Sequence, residues 1–211
     1  MTVQSNENLS LGANYPQVAA KFRPIFQRIA AGALEREKTR TLPYEPIQWL
    51  KQAGFGAVRV PAAFGGDGVS QKQRFQLLIE LAKADSNVVQ ALRGHFAFAE
   101  DRLNAHKTEA QNLWFQRFAQ GEIAGNAWTE IGTVEIGDVA TRVTENQQGQ
   151  LVVNGQKYYA TGTLFADWID LSPWMKPPVS MSLRLFLRRL PAFKQLMTGT
   201  VLARKPQAAA Q

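Results

Sequence analysis

Near Gly121 the chain changes its apolar rhythm, and that change restricts it to a fold with segregated helical and strand parts. Upstream, apolar side chains recur at steps of three and four, the period of a half-buried helix. Downstream, Gly, Thr and Val become frequent and β-rich runs appear, the composition of strands. Helices grouped ahead of strands, rather than interleaved with them, give an α+β class.

The upstream part reads as five helices. Val18, Phe22, Ile25, Phe26, Ile29 and Ala33 share one face of a helix starting at Tyr15. Thr41-Leu42-Pro43 breaks it, since the residue before a proline avoids helical geometry. Ile47 and Leu50 mark a short second helix that Gly54 ends. Residues 55–68 read as an extended segment and loop, and Phe64-Gly65-Gly66-Asp67-Gly68 lacks both G-x-G-x-x-G and G-K-[ST], which favours a tight connection over a phosphate loop. Ser70 and Gln73 form a capping box for a third helix with Phe75, Leu78, Ile79 and Ala82 facing inward. Asp85 or Ser86 caps a fourth helix carrying Val89, Leu92, Phe96, Ala99 and Leu103, with small residues at Ala91, Gly94 and Ala97 for close packing. His95 lies beside that stripe, where a half-buried, hydrogen-bonded histidine is the plain expectation. A fifth helix over 107–120 stops at Gly121.

Downstream, residues 139–144 and 151–159 are strand-like and joined through Asn146-Gln147-Gln148-Gly149, a hairpin signal. Two turns rich in small and polar residues flank them. One runs from Gly125 through Asn126, Trp128 and Thr129 to Gly132, the other from Asn154-Gly155 through Tyr158, Tyr159, Ala160 and Thr161 to Gly162. Three or four short strands are too few to close a barrel.

Cysteine is absent, which removes disulfides and thiolate catalysis, and two histidines, His95 and His106, make a zinc site improbable, so no metal is expected. No apolar run reaches the ~18 residues of a membrane-spanning helix. The polar first ten residues lack a signal-peptide core, so a cytoplasmic protein is expected. The net charge of +7 is confined to one region: all 17 acidic residues lie at or before Asp170, whereas Lys176, Arg184, Arg188, Arg189, Lys194, Arg204 and Lys205 follow it. A neutral body with a basic tail is a poor nucleic-acid domain.

In three places the sequence resembles the acyl-CoA dehydrogenase superfamily. Val60-Pro61-Ala62-Ala63-Phe64-Gly65-Gly66-Asp67-Gly68-Val69-Ser70 is similar to its V-P-x-x-[YF]-G-G-x-G-x-S connection. Trp128-Thr129-Glu130-Ile131-Gly132, continuing to Gly137-Asp138, is similar to its T-E-P-x-x-G-S-D turn. Asn154-Gly155-Gln156-Lys157-Tyr158-Tyr159-Ala160-Thr161-Gly162 is similar to its N-G-x-K-x-[WY]-I-T-N turn. Ile131 in place of proline, Tyr159-Ala160-Thr161-Gly162 in place of W-I-T-N, and Asn126-Ala127 ahead of Trp128 resemble the flavin-dependent monooxygenase branch, of the dibenzothiophene and sulfone monooxygenase kind used in sulfur acquisition.

The resemblance implies a flavin, FMN rather than FAD, reduced by a separate flavin reductase, and a small organosulfur substrate. A flat apolar ring with hydrogen-bonding edges needs backbone amides, hydroxyls and an aromatic wall. Thr129 and Thr161 would supply hydroxyls, Trp128 and Tyr159 the wall, and Ala160 a close backbone approach. Carried over from the family, Thr129 addresses the pyrimidine edge, Ala160 and Thr161 the N5 region, and Asn126 the oxygen-reacting face. The branch is similar in having a histidine on the fourth helix, which makes His95 the candidate catalytic proton donor. Ordinary core packing is the alternative for Trp128 and Tyr159.

The expected domains are a helical one over 1–122, a partial β domain over 123–171 that begins a barrel or sandwich, and a basic tail over 172–211, disordered and outside the family pattern. The family's C-terminal helical bundle is expected to be missing, as after a frameshift or gene breakage. Leucines lie between Arg184, Arg188 and Arg189, so the tail separates its faces poorly for a membrane-surface helix. The family is homo-oligomeric. Two alternatives stay open: an FAD-dependent acyl-CoA dehydrogenase, or a non-enzymatic remnant that associates through exposed strand edges.

Overall fold

A computed structural model describes residues 14–105, 109–131, 139–149 and 151–172, with backbone stretches at 174–175, 185–188, 194–195 and 201–202. The polar lead, His106, residues 132–138 of the first turn and most of the basic tail lie outside the described residues, and so do the expectations attached to them. The described chain divides into two compact units, Met1–Ala91 with Phe96–Ile123, and Leu92–His95 with Ala124–Gln211.

The first unit is helical. Its elements are α1 (Tyr15–Ala31), α2 (Ala33–Thr39), α3 (Tyr44–Gln52), α4 (Gln71–Ala84), most of α5 (Ser86–Asn104) and α6 (Glu109–Ala119). Phe55 centres its core, meeting Phe22, Phe26 and Phe96 edge-on at ring separations of 5.0, 5.6 and 5.7 Å. Such perpendicular contacts set the positive ring edge against the negative ring face. A second aromatic group joins α5 to α6, where Phe98 meets Trp114 at 4.8 Å and Phe118 at 5.8 Å.

Helix starts and stops follow the expected chemistry. Ser70 Oγ accepts from the Gln73 amide and Gln73 Oε1 from the Ser70 amide, closing the capping box of α4. Asp85 Oδ1 accepts from the Asn87 amide and starts α5. Past α6, Gly121 takes φ of 85°, the left-handed geometry of a helix stop.

Three expectations need correction. The first helix does not continue through Ala33 but breaks at Gly32, because Arg36 is drawn to Asp85 at 2.9 Å and donates to the Ile29 carbonyl at 2.6 Å. Residues 55–68 are not extended: they form two short 3-10 turns, Phe55–Ala57 and Ala62–Phe64. The amides of Gly65, Gly66, Gly68 and Val69 all donate to carbonyls within this loop, which leaves them unavailable to a phosphate. Finally, α4 buries Arg74, Leu77 and Leu81, while Phe75 and Ile79 are 51% and 56% exposed.

The second unit is built from short strands. β1 (Ala124–Ala127) runs parallel to β4 (Trp168–Leu171), with Asn126 opposite Asp170. β2 (Arg142–Glu145) and β3 (Leu151–Asn154) form the expected hairpin, Val143 opposite Val153. β5 (Trp174–Met175) lies parallel to β2, and β6 (Leu185–Arg188) antiparallel to β4. β7 (Lys194–Gln195) pairs with β8 (Val201–Leu202). The described strands thus make two three-stranded sheets and a two-stranded one, without closure into a barrel. Ala127, Val143, Val153, Ile169 and Leu171 form a small aliphatic core, and Ala160 packs against it.

Candidate functional site

The residues singled out from the sequence, His95, Asn126, Trp128, Thr129, Tyr159, Ala160 and Thr161, all fall in the second unit. Its two turns meet directly. Thr129 and Tyr158 form an isolated antiparallel bridge, with the Tyr158 amide donating to the Thr129 carbonyl at 2.8 Å. Residues far apart in sequence thereby come to lie side by side, Trp128-Thr129 along Tyr158-Tyr159.

Trp128 is 45% and Tyr159 76% exposed, so neither belongs to the core. Tyr159 also takes φ of 53°, a left-handed conformation that disfavours a bulky side chain and recurs where binding geometry demands it. Next to it Ala160 accepts from the Thr163 hydroxyl at 2.7 Å and anchors the turn. Thr161 donates its amide to the Tyr159 carbonyl at 2.7 Å and its hydroxyl to the same oxygen at 3.2 Å. The second turn is therefore tightly wound, with an aromatic ring on its outer surface.

His95 and Asn126 occupy the neighbourhood of β1. His95 is fully buried at 0% exposure, more deeply than the half-buried expectation, and its Nδ1 accepts from the Ala124 amide at 3.2 Å. An accepting Nδ1 carries no proton, so the neutral ring holds its proton on Nε2. One residue earlier on α5, Gly94 admits Asn126: a Cβ there would stand 2.5 Å from Asn126 Oδ1. That oxygen is buried and has no hydrogen-bond partner among the described residues. An unsatisfied buried acceptor is costly, and a ligand N–H is one way to satisfy it.

Glu130 and Lys157 stand inside the two turn motifs, and the sequence alone gives them no role. Their side chains are 10% and 1% exposed and pair at 2.7 Å. Burial pushes the Glu130 carboxyl up, but hydrogen bonds from Lys157, the Thr141 hydroxyl and the Ala140 and Thr141 amides outweigh it and hold the group at about 2. The available signal is a single acidic and a single basic residue in turns otherwise without charge.

The family model described as "Acyl-CoA dehydrogenase, N-terminal domain" matches residues 17–122. Among curated proteins, the chain is 25% identical over 156 residues to the putative acyl-CoA dehydrogenase YdbM of Bacillus subtilis, covering 72% of this chain and 40% of that protein. It is 26% identical over 142 residues to the probable FMNH2-dependent monooxygenase SfnC of Pseudomonas putida, covering 66% of this chain and 34% of the relative. The crystal structure of FMN-bound TdsC from Paenibacillus sp. A11-2 superimposes with a TM-score of 0.68 at 17% identity, over 82% of this chain and 44% of that one. The chain thus spans less than half the length of these relatives. No described helix is long and apolar enough to cross a membrane.

Proposed function

The chain belongs to the acyl-CoA dehydrogenase family, and we propose that its second unit supplies one side of an FMN site in a reduced-flavin monooxygenase acting on small organosulfur compounds. The bridge between Thr129 and Tyr158 carries this reading, because it sets two hydroxyl-bearing turns beside two exposed aromatic rings. The likeness to SfnC and to FMN-bound TdsC supports the monooxygenase branch and FMN over FAD. A separate flavin reductase is the corresponding partner.

The residues present fit such a group. Trp128 and Tyr159 offer apolar surface to a planar ring and exclude water from one side of it. Thr129 and Thr161 bring hydroxyls to the ring's polar edge. The unsatisfied Oδ1 of Asn126 accepts an N–H. Bound in reduced form, FMN supplies the two electrons with which dioxygen is divided between substrate and water. The Ala124 amide on Nδ1 fixes the ring of His95 and leaves Nε2–H as a hydrogen-bond donor; to pass that proton on, the ring has to take up another at Nδ1 as that amide lets go.

YdbM keeps a second reading in view, an FAD enzyme acting on an acyl thioester. Titration of the chain with FMN and with FAD, followed by flavin fluorescence, separates the two. Saturable binding that favours FMN, weakened about fivefold by Thr129→Ala or Thr161→Ala, is expected, each hydroxyl being worth about 1 kcal/mol. A preference for FAD transfers the chain to the second reading, and no saturable binding of either flavin removes both.

A further inference from the structure

Lys157 projects from the second turn, where a basic residue would ordinarily be read as a contact for a phosphate or a substrate carboxylate. The structure excludes it from that task. An ammonium has three protons to donate, and Lys157 Nζ lies 2.7 Å from Glu130 Oε1, 3.3 Å from the Trp128 carbonyl and 2.5 Å from the Ser172 carbonyl. All three protons are spent on the protein.

Glu130 is equally committed. Its Oε1 accepts from Lys157, from the Thr141 amide at 2.9 Å and from the Thr141 hydroxyl at 2.6 Å, and its Oε2 from the Ala140 amide at 2.5 Å. Gly155, at the start of the second turn, presses on the same threonine, since a Cβ there would stand 2.3 Å from Thr141 Oγ1. One buried ion pair therefore ties together the first turn, the second turn, the entry to β2 and the exit from β4. It does so within two residues of both Trp128 and Tyr159.

From this geometry we infer that Glu130 and Lys157 are positioning residues: their ion pair is an internal clamp that fixes the spacing of the two turns and so the width of the surface offered to the flavin. The inference rests on the flavin reading for its second half only. Consecutive carbonyls of the first turn, Trp128 and Thr129, are held by consecutive residues of the second, the Lys157 ammonium and the Tyr158 amide. A buried pair of this kind adds little net stability relative to an apolar pair of the same size, but it enforces one register, because any slip leaves a charge without a partner.

The test compares the 211-residue chain with Glu130→Met/Lys157→Met, which removes both charges together, and with the milder Thr141→Val. Amide hydrogen exchange without flavin reads the clamp through the Tyr158 amide. FMN titration reads its consequence. Tyr158 is expected to exchange about tenfold faster in the double variant and about threefold faster in Thr141→Val, while Leu77 in the first unit keeps its rate. FMN affinity falls in the same order, and the visible spectrum of bound FMN at saturation changes, which a purely structural weakening does not produce. Unchanged Tyr158 exchange in both variants overturns the clamp. Faster exchange with unaltered FMN affinity and spectrum overturns the positioning role. A parent chain that binds no FMN, with Tyr158 exchange still accelerated in the variants, sinks the flavin reading and leaves the clamp standing.

Discussion

The two units are held together by different means. The first has a core of large aromatic rings, Phe22, Phe26, Phe55, Phe96, Phe98 and Phe118, with long-range ion pairs such as Arg59 with Glu100 and Arg23 with Glu80 around it. The second has an aliphatic core of five residues, and its turns are joined by a buried charge pair and one backbone bridge. Non-directional burial dominates where only packing is required. Directional polar links dominate where two surface loops must keep a fixed distance. In the second unit, the groups that hold the structure lie next to the groups that would hold a ligand.

The largest effect expected from this contrast falls on the first unit. Phe55 is fully buried among three other rings, so Phe55→Ala is expected to destabilise the chain by about 3–5 kcal/mol in urea unfolding. A loss under about 1 kcal/mol would mean that the aromatic cluster is not the main source of cohesion. Next comes the clamp's response to acid. Glu130 is held at about 2 against an ordinary 4.5, so its contribution is whole above pH 4.5 and drains away as the pH falls toward 2. The stability difference between the parent and Glu130→Met/Lys157→Met, small at neutral pH, is therefore expected to be flat above pH 4.5 and to move by about 3 kcal/mol against the parent as the pH falls toward 2.

Smaller effects probe the surface. Tyr159→Gly removes the strain of a left-handed tyrosine and is expected to stabilise the second unit by about 1 kcal/mol while weakening FMN binding. Opposite signs in the thermal midpoint and the flavin affinity are the signature of a residue kept for binding rather than for folding. Smallest of all, Phe75→Ser on the exposed face of α4 is expected to stay within about 0.5 kcal/mol of the parent in urea unfolding. A larger loss would show that this face is covered in solution.

Local chemistry made the helix boundaries legible. The Ser70 capping box, the Asp85 cap, the Gly121 stop and the Asn146 to Gly149 hairpin each depend on residues within four positions of one another. The inward face of α4 was misread because its sequence holds two apolar sets. Phe75, Leu78, Ile79 and Ala82 form the longer one, but Arg74 is buried beside Leu77 and Leu81 because Glu100 of α5 lies 3.6 Å from its guanidinium. No periodicity within one helix reveals a counter-charge on another. The break at Gly32 has the same origin in the pairing of Arg36 with Asp85. At the candidate site, the turn motifs picked out two segments that the fold brings side by side. The depth of His95, the exposure of Tyr159 and the burial of Lys157 depend on which strands lie behind them.

The parallel pairing of β1 with β4 has a consequence for folding order. The β2–β3 hairpin closes through a turn of a few residues, whereas Ala124 must find Trp168 across the whole intervening segment. Closing the longer loop costs more chain entropy, and contacts distant in sequence form late. Thr129 and Tyr158 are carried on either side of the hairpin and close a shorter loop than Ala124 and Trp168, so the two turns can meet before β1 has docked on β4. A chain leaving the ribosome can therefore bring Trp128 and Tyr159 together before Leu171 has emerged, but Lys157 finds its last acceptor only when Ser172 follows.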